Sequence, residues 1–337
     1  MKDLLFELCN CDGISGKENN IADKCLELLS QYADVKKDYN NNVMAVLGNK
    51  NADKTLLLDA HIDQIGLIVT DIDDNGFLKV DKCGGIDCRT LPGSPVKVFG
   101  KEVYEGVICC MPPHLSDGNE DKALEIDKIR VDVGLPVDIV KENISVGDIV
   151  SFKNNPKTLL NNNITSVALD NRAGVAALIK VCELISKTDL SYKVVILLSC
   201  QEETFGTGAK TKSFEINPDK SICVDVSFAN QIGISDSYAN IELGKGPMLC
   251  YSPTLDRELT NTLKEIAHKN NIPIQIEVCG GRTGTNADHI SVSKSGVKTA
   301  VLSIPQRNMH TQVEIVNIED VENTAKLIYN YIISGGV

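Results

Sequence analysis

The chain predicts an α/β fold: a mixed sheet flanked by helices, with a small β-barrel or sandwich inserted into it. Three observations lead there. From Leu160 onward, apolar runs of strand length alternate with helical patterns, which is the signature of a layered sheet. Between about Thr70 and Leu160, short β-like runs are broken by Gly, Pro and Asp, and helical periodicity is nearly absent. Residues 1–69 return to helices and strands of the first kind. The two ends, 1–69 and 161–337, therefore build one domain, and residues 70–160 form the insertion.

The elements follow in order. Leu4, Leu5 and Leu8 repeat at helical spacing, and Gly13 ends the run. A second helix covers about Lys17 to Tyr32, with Ile21, Cys25, Leu28, Leu29 and Tyr32 on one face. Strands follow at Asn42–Leu47, Thr55–Ala60 and Ile65–Thr70, and Asp74-Asn75-Gly76 makes a hairpin turn because Asn and Gly tolerate positive φ. The insertion carries β-like runs at Phe77–Val80, Val96–Phe99, Val103–Met111, Ile129–Val133 and Ile149–Phe152, with a charged loop over Ser116–Lys128. Then come a helix at Asn171–Ser186, strands at Lys193–Ser199 and Ser221–Val226, and a helix at Asp256–Asn271. Strand Ile274–Val278, helix Ala287–Ser295 and strand Thr299–Ser303 complete the alternation. Asn317 caps a final helix, with Glu319 and Asp320 in its first turn.

Composition excludes some functions. The net charge of −12 argues against a nucleic-acid partner, because neutralising phosphates takes clustered Lys and Arg. The start, MKDLLFELCNCDG, lacks the long apolar stretch of a signal peptide, and no window suits a membrane helix. A cytoplasmic location is the expectation. The twelve cysteines include no Cys-x-x-Cys pair, and Cys25, Cys182, Cys200, Cys223 and Cys250 sit in apolar runs. They read as reduced core residues.

The chemistry concentrates where buried runs end. His61, the pair Glu202-Glu203, Asp225 and His310 each follow such a run, and Asp170 stands at a helix entrance. In open α/β sheets, ligands collect at the carboxyl ends of strands. Each residue alone is weak, since a His or Asp there is usually a surface, turn or capping group; the repetition carries the weight. Two imidazoles and three carboxylates suit a pair of divalent ions and leave one carboxylate as a base. Asp63, two residues after His61 on an extended segment, points to the same side and can orient its imidazole. Asp170 reads equally as a helix N-cap or as a bridge between cations, and the two roles compete for the same oxygens. Adjacent Glu202 and Glu203 repel unless cations or protons intervene, so one can ligate while the other moves a proton. Gly206-x-Gly208-Ala209 then allows a sharp turn into a helix. Of the other histidines, His268 reads as solvated, His289 as a helix-start residue or site neighbour, and His114 as structural or interfacial.

The chain resembles the TET-type cocatalytic metallo-aminopeptidases, which include glutamyl and deblocking aminopeptidases and some relatives labelled endoglucanase. The likeness covers nearly the whole length: AHIDQIGLIV, LPGSPV, GVICCMPPHL, SVGDIVSF, ALDNRAGVAALI, QEETFGTGA and the tail from GRTGTNADHI through RNMHTQVE. It implies a zinc-peptidase-like domain holding two zinc or cobalt ions, with a small β-barrel inserted. By motif match, His61 and Asp225 are set against Glu203 and His310 on the two sides of the metal pair. Asp170 bridges, Glu202 is the general base, and Asp63 supports His61. The resemblance further implies a cis peptide bond before Asn171, short peptides as substrates, and dimerisation through the barrel into a tetrahedral dodecamer. A related two-metal deacylase or carboxypeptidase is the alternative activity. Two positions depart from the family pattern. Asn286 stands where many relatives carry Asp, so no substrate contact is carried onto it, and Asn308 stands where an aromatic is common.

Overall fold

Two helices open the chain, α1 (Lys2–Cys9) and α2 (Asn19–Leu29), and each buries its apolar stripe. The computed structural model describes residues 1–110 and 124–337. His114 and the first part of the charged Ser116–Lys128 stretch lie outside the described residues. Strands β1 (Asp34–Lys37), β2 (Val43–Gly48) and β3 (Thr55–His61) enter a large sheet. The chain then leaves it for β4 (Gly66–Ile72), β5 (Leu78–Cys83), β6 (Pro95–Phe99), β7 (Val103–Ile108), β8 (Arg130–Asp132), helix α3 (Val137–Asn143) and β9 (Ile149–Phe152). It returns with β10 (Lys157–Thr158), β11 (Asn163–Ser166), α4 (Leu169–Ile185), β12 (Lys193–Ser199), α5 (Thr207–Ile216), β13 (Lys220–Phe228) and β14 (Met248–Tyr251). Last come α6 (Arg257–Lys269), β15 (Gln275–Val278), α7 (Ala287–Ile290), β16 (Lys298–Arg307), β17 (Glu314–Asn317) and α8 (Ile318–Ile333).

The large sheet runs β1-β2-β12-β3-β13-β16-β17-β11-β10, with β14 and β15 branching from β16. Its centre is parallel: β12 pairs with β3, β3 with β13, and β13 with β16. The outer pairings are antiparallel. Parallel strands covered on both faces need apolar residues at every position, not at alternate ones. That is why β3 is buried along its whole length and β12 along nearly all of it. On one face lie α1, α2, α4, α6 and α8, and on the other α5 and α7. Helix α4 is buried almost all round, packed against α1, α8, β3 and β13. Its Ala- and Gly-rich start lets these neighbours approach closely.

The inserted strands close an antiparallel barrel in the order β4-β5-β8-β7-β6-β9, so the barrel, not the sandwich, is the form adopted. Closure leaves no edge strand unpaired. Leu67, Val69, Val96, Val98, Val131, Val150 and Phe152 fill the interior. Val167 and Ala168, directly before α4, join the same cluster and couple the barrel to the main sheet.

Some elements differ from the sequence expectation. Helix α3 lies inside the segment that lacks helical periodicity, because it buries only Val140 and so leaves no apolar stripe to read. Helix α7 spans Ala287–Ile290 alone, and the residues up to Gly296 are turns. Strand β17 went unread because its polar Glu314 and Asn317 are buried.

Candidate active site

The parallel strands deliver their carboxyl ends to one cavity of about 410 Å³. His61 is the last residue of β3, Glu202 and Glu203 follow β12, Asp225 lies in β13, and His310 follows β16. Asp170 reaches the same place from the start of α4. All six line the cavity, and Asp63 sits fully buried behind His61.

Asp170 occupies the middle. Its Oδ1 lies 3.1 Å from Nε2 of His61, and its Oδ2 lies 3.3 Å from Nε2 of His310. The two oxygens therefore face different imidazoles. Nε2 of His61 is also 3.6 Å from Oδ1 of Asp225 and 4.0 Å from Oε2 of Glu202. Nε2 of His310 is 3.4 Å from Oε2 of Glu203. Asp170 and Asn171 both have non-helical dihedral angles, and the peptide bond between them is cis. The side chain of Asn171, not that of Asp170, caps the helix: its Oδ1 accepts from the backbone N–H of Gly174 at 3.0 Å. A Cβ at Gly174 would collide with that oxygen. Asn171 thus takes the capping bond, and both oxygens of Asp170 stay turned toward the imidazoles.

Asp63 does more than face His61. Its Oδ1 lies 3.4 Å from Nδ1 of His61 and accepts from the backbone N–H of Glu202 at 3.0 Å. Its Oδ2 accepts from the N–H of Glu203 at 3.1 Å. One buried carboxylate thus fixes the turn carrying both glutamates, while Nδ1 of His61 lies nearest, at 3.2 Å, to the backbone carbonyl oxygen of Asp63. That turn starts at Gln201, whose φ of 58° is left-handed.

Glu314 was not found from the sequence. It is buried, accepts from the N–H of Asp170 at 3.1 Å, and accepts from the N–H of His310 at 2.9 Å. It is to the Asp170–His310 side what Asp63 is to the other. Only its place four residues after His310 pointed to it. Gly85, from the segment after β5, closes the wall at His310: an added Cβ would sit 2.8 Å from Nδ1 of the imidazole. Asn286 does not line the cavity. It is buried and donates to Asp59 and to Ser199, each at 2.9 Å. Asn308 has a φ of 56°, a conformation that Asn tolerates better than an aromatic residue does. His289 abuts Gly206 rather than the cavity. Arg282 and Lys245 are exposed and do not line it either.

The electrostatics follow from crowding acids in a dry place. Burial, then the neighbouring Asp225 and Asp170, push Glu202 up to about 8 against the pull of His61. Burial and Asp170 push Glu203 well above the usual carboxylate range. Asp170 goes the other way: despite burial, His310 and His61 hold it well below that range. Burial works against the charged form of His61, but its bonds to Asp170, Asp225 and Asp63 raise it well above its ordinary value. Asp170 is stabilised as an anion by positive charge on both sides. Divalent cations placed there would supply it and would return the glutamates to their ionised forms.

The donors fit that role. His61, Asp170 and Asp225 place ligand atoms within 4.8 Å of one another, and so do Asp170, Glu203 and His310. The two sets share Asp170. Buried Oε1 of Glu203 has no hydrogen-bond partner, which is costly unless something electropositive approaches it. Mixed imidazole and carboxylate donors suit zinc, cobalt or manganese.

The sequence profile of the family described as M42 glutamyl aminopeptidase matches residues 41–327. The lysyl aminopeptidase of Pyrococcus furiosus is 35% identical over 333 residues, covering 96% of this chain and 94% of that protein. Aminopeptidase APDkam598 of the archaeon Desulfurococcus kamchatkensis superimposes with a TM-score of 0.91 at 32% identity, over 98% of this chain and 94% of that one. The TET1 peptidase of Pyrococcus horikoshii, described as assembling into a tetrahedron or a large octahedral shell, gives 0.87 at 31% identity over 98% of both chains. With the fold, the motifs and these likenesses in agreement, the chain belongs to the M42 glutamyl aminopeptidase family.

Proposed function

We propose that this chain is a metal-dependent aminopeptidase that removes N-terminal residues from short peptides. His61 and Asp225 would hold one divalent ion, Glu203 and His310 a second, and Asp170 both; zinc or cobalt suits the donors. The observation that carries this reading is the pair of Asp170 oxygens directed at two different imidazoles. When bound, the ions supply Lewis acidity toward the scissile carbonyl and offset charge developing on its oxygen. The protein's own groups do the rest. Glu202 takes the proton from the attacking water and passes it to the leaving amine. Asp63 and Glu314 keep the surrounding side chains in register.

The lining favours an amino terminus over a carboxyl terminus. Among the described residues no Lys or Arg borders the cavity, so apart from the two imidazoles assigned to the ions a substrate carboxylate would meet no cationic side chain. An ammonium would meet carboxylates. That argues against the carboxypeptidase alternative.

Residues 70–160 would act as the dimerisation unit of a larger assembly, up to a tetrahedral dodecamer. The outer face of β7 leaves Val103 and Val107 exposed, which supports a covered surface there. The related TET1 peptidase is described as assembling into a tetrahedron or a large octahedral shell, which supports self-association.

The test is a panel of aminoacyl-p-nitroanilides, run after chelation and after each metal is restored. Chelated protein should be inactive and zinc or cobalt should revive it. Glu202→Gln should keep its metal content and lose about 10²- to 10⁴-fold in kcat. Full turnover in that variant, or in chelated protein, would defeat the proposal.

A further inference from the structure

We infer that the cavity selects a lysyl or arginyl side chain on the residue to be released, and that Glu277 is the group that reads it. This rests on the aminopeptidase reading. Glu277 stands on β15, borders the same cavity, and is only 6% exposed. Among the described residues its carboxylate is held by neutral groups: three hydroxyls, with the Cys250 and Cys279 thiols close by. Ser227 donates at 2.5 Å and Tyr238 at 3.4 Å to Oε1, and Ser303 donates at 2.8 Å to Oε2. Those bonds fix the carboxylate without cancelling its charge, and one acceptor position is left over. A buried carboxylate with no cation beside it is expensive unless its partner arrives from outside.

The spacing suits such a partner. Asp225 and Ser227 alternate on β13 and so share a face, roughly 7 Å apart. Ser227 touches Glu277, and Asp225 belongs to the reaction centre. A lysine ammonium stands roughly 6 Å from its own Cα when extended, by ordinary bond lengths. A lysyl residue whose carbonyl sits at the reaction centre therefore spans the gap. Phe228 and Tyr238 border the path, with ring centroids 5.6 Å apart, and offer apolar surface to the methylene stem. A glutamyl side chain in the same place would meet like charge.

Cys250 and Cys279 also lie close to Glu277, and the three could hold a cation together. Burial pushes both thiols up, which opposes the thiolate form that a soft metal requires. Glu277 also faces the cavity.

The experiment uses the full-length, metal-loaded protein and p-nitroanilides of lysine, arginine, norleucine and glutamate. Norleucine has the lysine stem without its ammonium. The lysyl substrate should exceed the norleucyl one in kcat/KM by about ten- to a hundred-fold, the factor a charge-assisted hydrogen bond supplies. The glutamyl substrate should be poorest. Glu277→Gln should shrink the lysyl-to-norleucyl ratio by the same factor. Calorimetry with L-lysinamide and L-norleucinamide on the unmodified protein reads the preference without turnover or a variant. A ratio near one, a ratio that Glu277→Gln leaves unmoved, or a further metal ion released by Cys250→Ala would overturn the inference. If no substrate were cleaved but lysinamide still bound tighter, the pocket assignment would stand and the aminopeptidase reading would fall.

Discussion

Asp63→Asn separates the supporting role of this residue from everything else in the site. The change keeps the size of the side chain but removes its charge and one acceptor. Asp63 accepts from the backbone N–H groups of Glu202 and Glu203 and faces Nδ1 of His61. An Asn oxygen can serve one of those N–H groups, while its amide nitrogen must face the other. A buried donor left unpaired costs about 1–3 kcal/mol, so the variant should melt at a lower temperature even when metal-free. Loss of the carboxylate behind a ligating imidazole typically weakens metal binding about 10- to 100-fold. The assay is chelator competition for metal affinity, alongside kcat/KM at rising metal concentration. Excess metal should restore part of the activity, but not all, because the turn carrying Glu202 is also loosened. Unchanged metal affinity together with unchanged kcat would refute the claim that Asp63 organises the site.

Other consequences follow from the same geometry. Gly85→Ala places a methyl group against His310, so it should displace that imidazole and lower metal content on its side of Asp170; an unaltered metal content would show that the wall yields. Val103→Glu puts a charge on the exposed outer face of β7 and should shift the assembly toward smaller species in light scattering while the melting temperature barely moves; an unchanged mass would place the interface elsewhere.

Much of this fold was legible because its central strands are buried on both faces. Their continuous apolar runs stand out, and so do the imidazoles and carboxylates that end them. The helix at α4 and the barrel strands were legible for similar reasons of period. What stayed hidden depends on partners far away in sequence. Glu314 serves Asp170 across 144 residues of chain, and nothing local beyond its place four residues after His310 marks it as more than a polar strand residue. Asp59 lies within a buried strand, and Asn286 and Ser199 meet there only after folding. Burial pushes it up to about 7. Glu277 belongs to a strand that could be read, but its hydroxyl cradle comes from β13, β16 and the loop holding Tyr238. Asp170 read equally as cap or bridge because both roles use the same carboxylate oxygens, and that its neighbour Asn171 takes the capping bond emerges only on folding.

The most direct measurement is anomalous diffraction from crystals grown with zinc, joined to elemental analysis of the same preparation. The account predicts two peaks per chain, one beside His61 and Asp225 and one beside Glu203 and His310, with Asp170 between them. A single peak, or peaks away from these side chains in a fully active preparation, would contradict it.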